Sequence, residues 1–251
     1  MNGDQVKKQQ AIFGEKIRGT RGYHLESFRW SYLRRVFAEL EIPGKGEYLD
    51  VGCGALGHLV IEATRRGQKA TGLDISQKLV SKARGFAQKE LGDNHQYRFV
   101  IGRAEKLPFP DKSFTKVSAI AILEHVEDDE KAITEMARVL RPGGRVFLTV
   151  PNSFQRIWPP FRWYYRRVDK EMGHLRHYEA KDLQRRIERY GFKLIGLHYT
   201  GHLPKVIQYF ITLLFPPFAK SRLWWKLEEM DFKMAKNSSG LHFDLVAERK
   251  Q

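Results

Sequence analysis

The sequence predicts an α/β fold in which a mainly parallel β-sheet carries helices on both faces. Short β-rich runs alternate with segments of helical length between residues 24 and 153, which is the pattern of strands joined by helical crossovers. The first β-rich run ends in a loop with Gly52, Gly54 and Gly57, and the second ends at Asp74. A chain of 251 residues with 42% apolar residues has enough hydrophobic side chains for a core of this kind.

The elements up to residue 153 follow from periodicity and capping signals. Residues 24–41 carry apolar side chains at spacings of three and four and predict an amphipathic helix that ends before a Pro-Gly pair. Ser76 is the expected N-cap of a later helix, and Asp128 or Asp129 opens another. The other helices cover residues 59–66, 77–89 and 129–140, and the strands cover 48–51, 69–74, 97–101, 116–121 and 145–150, with a break at 141–144.

The regular alternation stops after Pro151. Residues 154–165 hold six aromatic side chains among twelve residues. Further on, the patterns predict a helix at residues 179–190 and strands at 192–199 and 241–248. The stretches between these elements, residues 154–178 and 201–240, are read as insertions.

Composition limits the expected compartment. Cys53 is the only cysteine, so no intrachain disulfide can form and a reducing, cytoplasmic setting is expected. The N-terminal residues lack the apolar core of a signal peptide. The longest apolar run, residues 206–218, is shorter than the roughly 20 residues of a spanning helix. We therefore expect no secretion signal and no membrane-spanning segment.

Positive charge is concentrated in the last two fifths of the chain. Lys and Arg number 44 against 29 Asp and Glu, a formal net charge of +15, and residues 154–251 alone carry 19 basic and 10 acidic side chains. Basic surfaces mixed with aromatic residues are typical of proteins that bind a polyanion, either nucleic acid or an anionic membrane face. A solvated basic surface without such a partner is the alternative.

The glycine loop and two aspartates predict a nucleotide-type ligand. Bare backbone at Gly52, Gly54 and Gly57 lets a ligand lie against the next helix, and Asp74 can accept both hydroxyls of a ribose. Asp50 precedes the first glycine by two positions, where a carboxylate repels a pyrophosphate but pairs with an ammonium group. The residues therefore favour a cationic ligand with an amino-acid tail. A simple tight turn, with Asp74 as a helix cap, is the structural alternative.

Five ordered segments resemble the signature segments of class I S-adenosylmethionine-dependent methyltransferases, in the branch that includes quinone-biosynthesis enzymes. They read YLDVGCGALGHL, GLDIS, GRAEKLPFPDKSFTKV, AILEHVEDD and RVLRPGGRVFLTVPN. The resemblance covers residues 45–153 closely and extends loosely to Phe192. It implies a Rossmann-like, doubly wound sheet of seven strands in the order 3-2-1-4-5-7-6 with the last strand antiparallel. It also implies S-adenosylmethionine as the cofactor.

The same resemblance implies which residues contact the cofactor. Asp50 and the glycines after it correspond to residues that hold the methionine part, and Asp74 to the residue that binds the ribose hydroxyls. Many relatives have an aspartate where this chain has Arg103, so recognition of the adenine amino group falls to Glu105 or to backbone carbonyls. The implied contacts are Asp50, Gly52, Cys53, Gly54, Asp74, Ile75, Ala104, Glu105, Ala121 and Leu123.

Histidines after strands 4 and 5 are expected on the acceptor side. His125 is the candidate general base, with a loop-fixing hydrogen bond as its alternative role. The resemblance implies that the segment after strand 5 faces the substrate, which favours His174 and Arg176 as substrate contacts. His174 and His177 have the spacing of a metal pair, but no third ligand of suitable type follows nearby. We therefore expect no metal site.

The insertions are expected to select the acceptor. Residues 154–168 combine aromatic side chains with arginines, and residues 221–234 place four apolar side chains on one helical stripe. The stripe belongs either to the core or to a lid that enters the interface of an anionic bilayer. Stacking of RNA bases on the aromatic side chains is a third interpretation. The stripe consists of Leu223, Leu227, Met230 and Met234, beside Trp224 and Trp225.

Together these features predict one methyltransferase domain over residues 1–251, with a helical lead-in at 1–44, a cofactor-binding core at 45–153 and a substrate-side half at 154–251. The expected activity is methyl transfer to a lipophilic or membrane-presented small molecule, such as a quinone precursor or a lipid-linked intermediate. Peripheral contact with the inner membrane face is a further expectation. The alternatives are a soluble small-molecule or RNA methyltransferase, a non-catalytic binding protein with the same fold and, more remotely, a dehydrogenase.

Overall fold

The computed structural model describes residues 36–41, 45–93, 96–153, 162, 166, 172–215, 221–234 and 240–251. These residues form a seven-stranded sheet flanked by helices. The strands are β1 Gly46–Val51, β2 Gln68–Asp74, β3 Tyr97–Ile101, β4 Phe114–Ile120, β5 Leu140–Pro151, β6 Phe192–Thr200 and β7 His242–Arg249. The helices are α1 His58–Arg65, α2 Gln77–Leu91, α3 Asp129–Val139, α4 Ala180–Arg189, α5 Leu203–Leu214 and α6 Arg222–Lys233.

Two predicted segments fall mainly outside the described residues. Of the helix predicted at residues 24–41, residues 36–39 are described as helical, and the rest lies outside. The aromatic insertion at 154–165 also lies outside, apart from residue 162. The aromatic side chains expected to select the acceptor, among them Trp158, Trp163 and Trp225, therefore lie largely outside what the structure describes.

The sheet has the order β3-β2-β1-β4-β5-β7-β6, which confirms the order that the resemblance implies. Strands β1 to β5 are parallel, and β7 lies antiparallel between β5 and β6. The order changes direction between β1 and β4, so their carboxyl ends open a crevice where doubly wound sheets bind ligands. Because two antiparallel pairings separate β6 from β5, the carboxyl end of β6 reaches the same edge of the sheet.

Both faces of the sheet are covered, since successive strand residues contribute to opposite cores. In β1, Tyr48 belongs to the core cluster that contains α1 and α2, whereas Leu49 belongs to the cluster that contains α3 and α4. In β5, Phe147 and Leu148 divide in the same way. The predicted doubly wound arrangement is therefore confirmed.

Local capping starts the helices where the sequence predicts. Ser76 Oγ accepts a hydrogen bond from the Leu79 amide at 3.4 Å at the start of α2. Asp128 Oδ1 accepts one from the Lys131 amide at 2.9 Å at the start of α3. Each side chain satisfies one of the amides that a helix N-terminus leaves without an intrahelical acceptor.

Strand β5 is longer than predicted. Phe114 of β4 already pairs with Leu140, and the register shifts immediately after this pair. Gly144 permits the irregularity, because a Cβ at this position would lie 2.8 Å from the Arg141 carbonyl oxygen. Residues 141–144 follow the end of the helix, as predicted, but the prediction that the strand begins only at residue 145 is wrong, since these residues belong to its irregular first part.

The insertion at residues 201–240 contains a helical hairpin formed by α5 and α6. Gln208 Nε2 on α5 donates a hydrogen bond to the Trp224 carbonyl oxygen on α6 at 3.1 Å. The Trp224 side chain is buried, and Ile211 and Leu227 pack against it. The two helices therefore share a small apolar contact of their own.

The predicted apolar stripe on α6 is only partly buried: Leu227 packs against Trp224, whereas other members face solvent. Leu223 and Met230 are 53% and 51% exposed, whereas Trp224 is 4% exposed. The interpretation of the stripe as core is wrong for Leu223 and Met230, because α5 packs on the face that carries Trp224. Within the described part of the chain, no helix is long and apolar enough to cross a membrane.

Candidate active site

The crevice between β1 and β4 brings the predicted acidic residues together. Asp50 lies near the end of β1, and Asp74 is the last residue of β2. Both are buried, with 4% and 8% of their surface exposed. Asp50 pairs in register with Ser118 of β4, so a polar residue of the neighbouring strand faces it across the change in strand order. Sequence reasoning did not identify Ser118 as part of the site.

A chain of hydrogen bonds holds the Asp50 carboxyl group. Ser118 Oγ donates to Asp50 Oδ1 at 2.6 Å, and the Tyr48 hydroxyl lies 2.6 Å from Ser118 Oγ. Burial raises the pKa of Asp50 to about 7; the bond from Ser118 opposes the increase, and the charge of Asp74 adds to it. A cation next to Asp50 would stabilise its ionised form.

The loop between β1 and α1 leaves room beside its backbone. The Gly52 and Cys53 amides both donate to the Leu73 carbonyl oxygen, at 2.7 and 3.0 Å. The Gly54 amide donates to Asp74 Oδ2 at 3.0 Å. Gly54 has φ of +62°, and a Cβ built there would meet no described atom within 4 Å. Open space therefore adjoins the loop where the cofactor is expected.

The end of β4 approaches the same loop closely. A Cβ on Gly52 would lie 2.0 Å from the Ile122 side chain, so the close packing requires glycine. Ala121, one of the predicted cofactor contacts, has φ of +54°. This left-handed conformation costs about 1–3 kcal/mol in a residue other than glycine and is most often found at functional sites. The next predicted contact, Leu123, is buried.

Both carboxylate oxygens of Asp74 accept hydrogen bonds from backbone amides. Its Oδ1 accepts from the Ser76 amide at 2.9 Å, in addition to the bond from Gly54 to Oδ2. Burial raises the pKa of Asp74, and these backbone hydrogen bonds lower it without cancelling the increase. A carboxylate has about four acceptor positions, so positions remain for the two hydroxyls of a ribose.

The other predicted cofactor contacts follow β2 and β3 in the chain or belong to the loop after β1. Ala104 is buried, and Ile75 is half-buried. Glu105 Oε1 accepts a hydrogen bond from Arg103 Nη2 at 3.2 Å, so the guanidinium partly neutralises the carboxylate. Burial raises the pKa of the Cys53 thiol well above its usual range, and the nearby aspartates add to the increase. The thiol therefore stays protonated and acts as a small apolar wall.

Arg176 ties the segment after β5 to the loop after β4. Its guanidinium donates to the carbonyl oxygens of Val126 and Glu127, each at 2.8 Å. It also lies 3.5 Å from the Asp129 carboxylate. Arg176 was predicted to contact the substrate, but in the structure its guanidinium is bonded to the loop after β4.

Two further bonds complete this tie. The Tyr178 hydroxyl lies within hydrogen-bonding distance of the Leu123 carbonyl oxygen and Asp129 Oδ2, at 3.0 and 2.8 Å. The Leu175 amide donates to the Glu124 carbonyl oxygen at 2.8 Å. The two loops therefore form one connected wall beside the crevice.

The tie brings the predicted acceptor-side histidines into contact. The rings of His125 and His174 lie with centroids 4.8 Å apart and an interplanar angle of 66°. Glu124 joins them, because one donor atom from each of the three side chains lies within 4.8 Å of the others. Sequence analysis missed Glu124, although its position next to His125 was a signal. The expectation of no metal site considered only His174 and His177.

The residues of the crevice fit S-adenosylmethionine on two physical grounds. Its ammonium and sulfonium groups are cationic, and a cation compensates the burial of the Asp50 carboxylate. Its ribose hydroxyls match the acceptor positions that remain on Asp74, beside the space at Gly54. The pyrophosphate of a dinucleotide would instead lie next to two buried acidic groups.

Comparison with known proteins defines the class of this part of the chain. Residues 49–148 match the family described as a methyltransferase domain. With the observed strand order, this match identifies them as a class I S-adenosylmethionine-dependent methyltransferase domain, and its cofactor is S-adenosylmethionine.

Individual relatives share this part of the chain. An uncharacterised methyltransferase of Bacillus subtilis is 40% identical over 124 residues, which cover 45% of this chain and 48% of that protein. A ubiquinone biosynthesis O-methyltransferase of Coxiella burnetii is 34% identical over 123 residues, covering 48% and 50%. The solved structure of the cyclase SpnF is 23% identical with a TM-score of 0.60, covering 87% of this chain and 80% of SpnF. The matches span about half the length of these two curated relatives.

Proposed function

We propose that this chain transfers the methyl group of S-adenosylmethionine to a lipophilic acceptor that it meets at a membrane surface. The cofactor supplies an activated methyl group, so the protein has to hold it, align the acceptor and exclude water. The methyltransferase match over residues 49–148 supports methyl transfer. The fold alone does not decide the reaction, because SpnF is a cyclase with a similar fold.

The observation that carries the acceptor class is an apolar surface on the helical hairpin. Of nine exposed large hydrophobic side chains among the described residues, six lie on α5, on α6 or directly after α5. Leu214 is 84% exposed and Phe215 is 59% exposed. Side chains of this kind are stabilised when they enter the headgroup region of a bilayer. The six hairpin residues are Leu203, Ile207, Leu214, Phe215, Leu223 and Met230.

The hairpin begins at the same edge of the sheet as the cofactor crevice. It follows β6, whose carboxyl end lies at that edge. Asp231 of α6 accepts hydrogen bonds from the Gly201 and His202 amides, at 3.3 and 2.6 Å, which fixes α6 to the start of α5. A lipophilic molecule that the hairpin takes from a membrane would therefore enter on the side where the cofactor is held.

The excess of positive charge in residues 154–251, with 19 basic and 10 acidic side chains, favours an anionic membrane. Arg222, Lys226 and Lys233 are exposed on the helix that carries Leu223 and Met230. The Lys233 ammonium is paired with a glutamate one turn earlier, at 3.1 Å. Three acidic residues, Glu228, Glu229 and Asp231, balance the basic residues on α6 itself. The attraction, at about 1 kcal/mol for each basic residue near an anionic surface, therefore comes from the excess of basic residues over the whole of this half of the chain.

In this mechanism, different residues hold the cofactor and face the acceptor. Asp50 pairs with the ammonium of the cofactor, and Asp74 accepts its ribose hydroxyls. His125, buried directly after β4, is the candidate for removal of an acceptor proton. His174 lies on the same side, and Arg176 positions the wall through its bonds to backbone carbonyls.

Vesicle binding tests the acceptor class. We expect the full chain to sediment with phosphatidylglycerol vesicles at low salt and to remain in solution with phosphatidylcholine vesicles, because salt and neutral lipid remove the electrostatic attraction. The double variant Leu214→Ser/Phe215→Ser should lower binding about tenfold, given the apolar area removed from the interface. The control Ile195→Ser changes a side chain of β6 that is 46% exposed outside the hairpin.

Three outcomes separate the alternatives. Radiolabel transferred from S-adenosylmethionine into the organic extract of vesicles that contain a quinone precursor would support the whole proposal. A protein that stays in the supernatant with anionic vesicles would overturn the membrane-presented acceptor and leave a soluble acceptor. Binding of S-adenosylhomocysteine without transfer to lipophilic or soluble acceptors would support a non-catalytic binding protein.

A further inference from the structure

We propose that Glu124, His125 and His174 form a binding site for one divalent transition-metal ion. The three side chains offer one carboxylate oxygen and two imidazole nitrogens, and these atoms lie within 4.8 Å of one another. Glu124 and His125 are 1% and 6% exposed, and His174 is half-buried. The group therefore differs from an exposed acidic patch, in which carboxylates are solvated and do not converge.

Hydrogen bonds to the backbone place the three ligands next to one another. Glu124 and His125 belong to the turn after β4, and His174 belongs to the segment after β5. The Leu175 amide bonds to the Glu124 carbonyl oxygen at 2.8 Å, directly beside two of the ligands. Arg176 bonds to the carbonyl oxygens of Val126 and Glu127. Residues 50 positions apart are thus fixed next to each other, as a preorganised site requires.

The distances suit a metal after a small movement of the side chains. Ligand bonds of about 2.1 Å in a tetrahedral site place the donor atoms about 3.4 Å apart. The donor atoms lie at most 4.8 Å apart, so each has to move by about 1 Å or less toward the centre. Rotation of the side chains covers such a movement while the backbone bonds stay in place.

The donor set selects the class of ion. Imidazole nitrogens favour Zn²⁺, Fe²⁺ and Ni²⁺, and the carboxylate also suits Mn²⁺, whereas Mg²⁺ and Ca²⁺ prefer sites made of oxygen ligands. One carboxylate leaves a bound divalent ion with a net positive charge. Three protein ligands also leave coordination positions open for water or for an oxygen of the acceptor.

The site gives the acceptor reaction a specific form, and this step rests on the function proposed above. A hydroxyl group of the acceptor binds the metal ion, which lowers its pKa, and its proton passes to solvent water. The oxygen then attacks the methyl carbon of S-adenosylmethionine: an O–C bond forms, the C–S bond breaks, and its electron pair stays on sulfur as S-adenosylhomocysteine leaves. In this form of the reaction His125 is a metal ligand, and this role replaces the removal of the acceptor proton that is proposed for it above.

Metal binding is measured directly on the full chain after treatment with a chelator. We expect titration with Zn²⁺ or Mn²⁺ by calorimetry to give one equivalent, and Co²⁺ to give visible absorption bands of a nitrogen- and oxygen-ligated ion. Glu124→Gln and His174→Ala should each weaken metal binding by about 100-fold or more, since each removes a ligand. His177→Ala is the matched control, because its ring lies 6.0 Å from that of His174 but outside the group of three.

Separate control measurements report on folding and on methyl transfer. Binding of S-adenosylhomocysteine and the circular dichroism spectrum should stay unchanged in His174→Ala, because this side chain lies outside the cofactor crevice. One equivalent of metal in the double variant His125→Ala/His174→Ala, or no metal bound by the wild-type chain, would overturn the site. A chain that binds metal but transfers no methyl group would overturn the proposed function and leave the metal site standing. Transfer that survives chelation would overturn the role of the metal in the reaction.

Discussion

Ser118 donates a 2.6 Å hydrogen bond to Asp50 across the boundary between β4 and β1, where the strand order changes direction. The Tyr48 hydroxyl lies 2.6 Å from the same serine oxygen, so the carboxyl group is supported from within the sheet. This support is smaller than the effect of burial, which raises the pKa of Asp50 to about 7. Ionisation of this buried carboxyl group is therefore unfavourable, and the cationic cofactor proposed to bind beside it would relieve that cost.

Asp50→Asn should make the folded protein more stable at pH 8 and weaken its binding of cofactor. The pKa of Asp50 rises from 3.8 to about 7 on folding, so the stability that this group contributes falls as the pH rises through that window. Asparagine removes the buried charge and keeps an acceptor for Ser118. Urea denaturation should show a gain at pH 8 and little change at pH 4.

The same variant should bind S-adenosylhomocysteine about 1.5–3 kcal/mol more weakly, the scale for loss of a hydrogen bond to a charged group. Calorimetry measures this change. The control is Asp182→Asn, which alters an exposed aspartate on α4. An Asp50→Asn variant with unchanged affinity at pH 8 would remove this residue from the cofactor site.

Binding of S-adenosylmethionine should release protons near neutral pH. With a pKa of about 7, Asp50 is half protonated at pH 7, and a bound cation lowers that pKa. Binding should therefore release about half a proton at pH 7, and the affinity should fall as the pH drops below 7. Calorimetry in buffers with different ionisation enthalpies measures the release. The release should vanish in Asp50→Asn, and its persistence there would assign the proton to another group.

Asp74→Ala should weaken binding of S-adenosylhomocysteine by about 1.5–3 kcal/mol, because the ribose hydroxyls lose a charged acceptor. Asp93→Ala serves as the control, since Asp93 is an exposed residue near the end of α2. NAD should bind neither protein. Tight binding of NAD to the wild-type chain would contradict the cofactor assignment.

Arg176→Ala should loosen the wall between the two loops. The variant loses charge-assisted bonds to the Val126 and Glu127 carbonyl oxygens, and we expect about 2 kcal/mol of lost stability. The KM for the acceptor should rise more than the dissociation constant for S-adenosylhomocysteine, because Asp50 and Asp74, the proposed polar contacts of the cofactor, lie on β1 and β2. Arg185→Ala, at a residue whose side chain is 73% exposed, should change stability by less than about 0.5 kcal/mol. An Arg176→Ala variant as stable as wild type would refute the tie.

Local patterns were sufficient for much of the cofactor half. The N-caps Ser76 and Asp128, the glycine loop and the two aspartates could all be predicted, because capping and turn chemistry depend on residues close in sequence. Ser118 could not, since its role depends on the register between β1 and β4, which are 68 residues apart at this pair. The pairing register of two strands so far apart in the chain cannot be predicted from local sequence patterns.

The acceptor side was less predictable for the same reason. Glu124 and His174 meet only because Arg176 and Tyr178 join two distant loops. On α6, helical periodicity correctly indicated an amphipathic helix, but packing against α5 decided that Trp224 would be buried and Leu223 exposed. Tertiary contacts therefore overrode the pattern.

The helical hairpin leaves and rejoins the sheet at a single point, since Thr200 at the end of β6 pairs with His242 at the start of β7. Everything between these residues can change in length and content without moving the strand register. The hairpin is therefore an insertion that the sheet does not need for its own pairing. A change within this insertion can alter the surface at the edge of the sheet while the buried strands that carry Asp50 and Asp74 remain as they are.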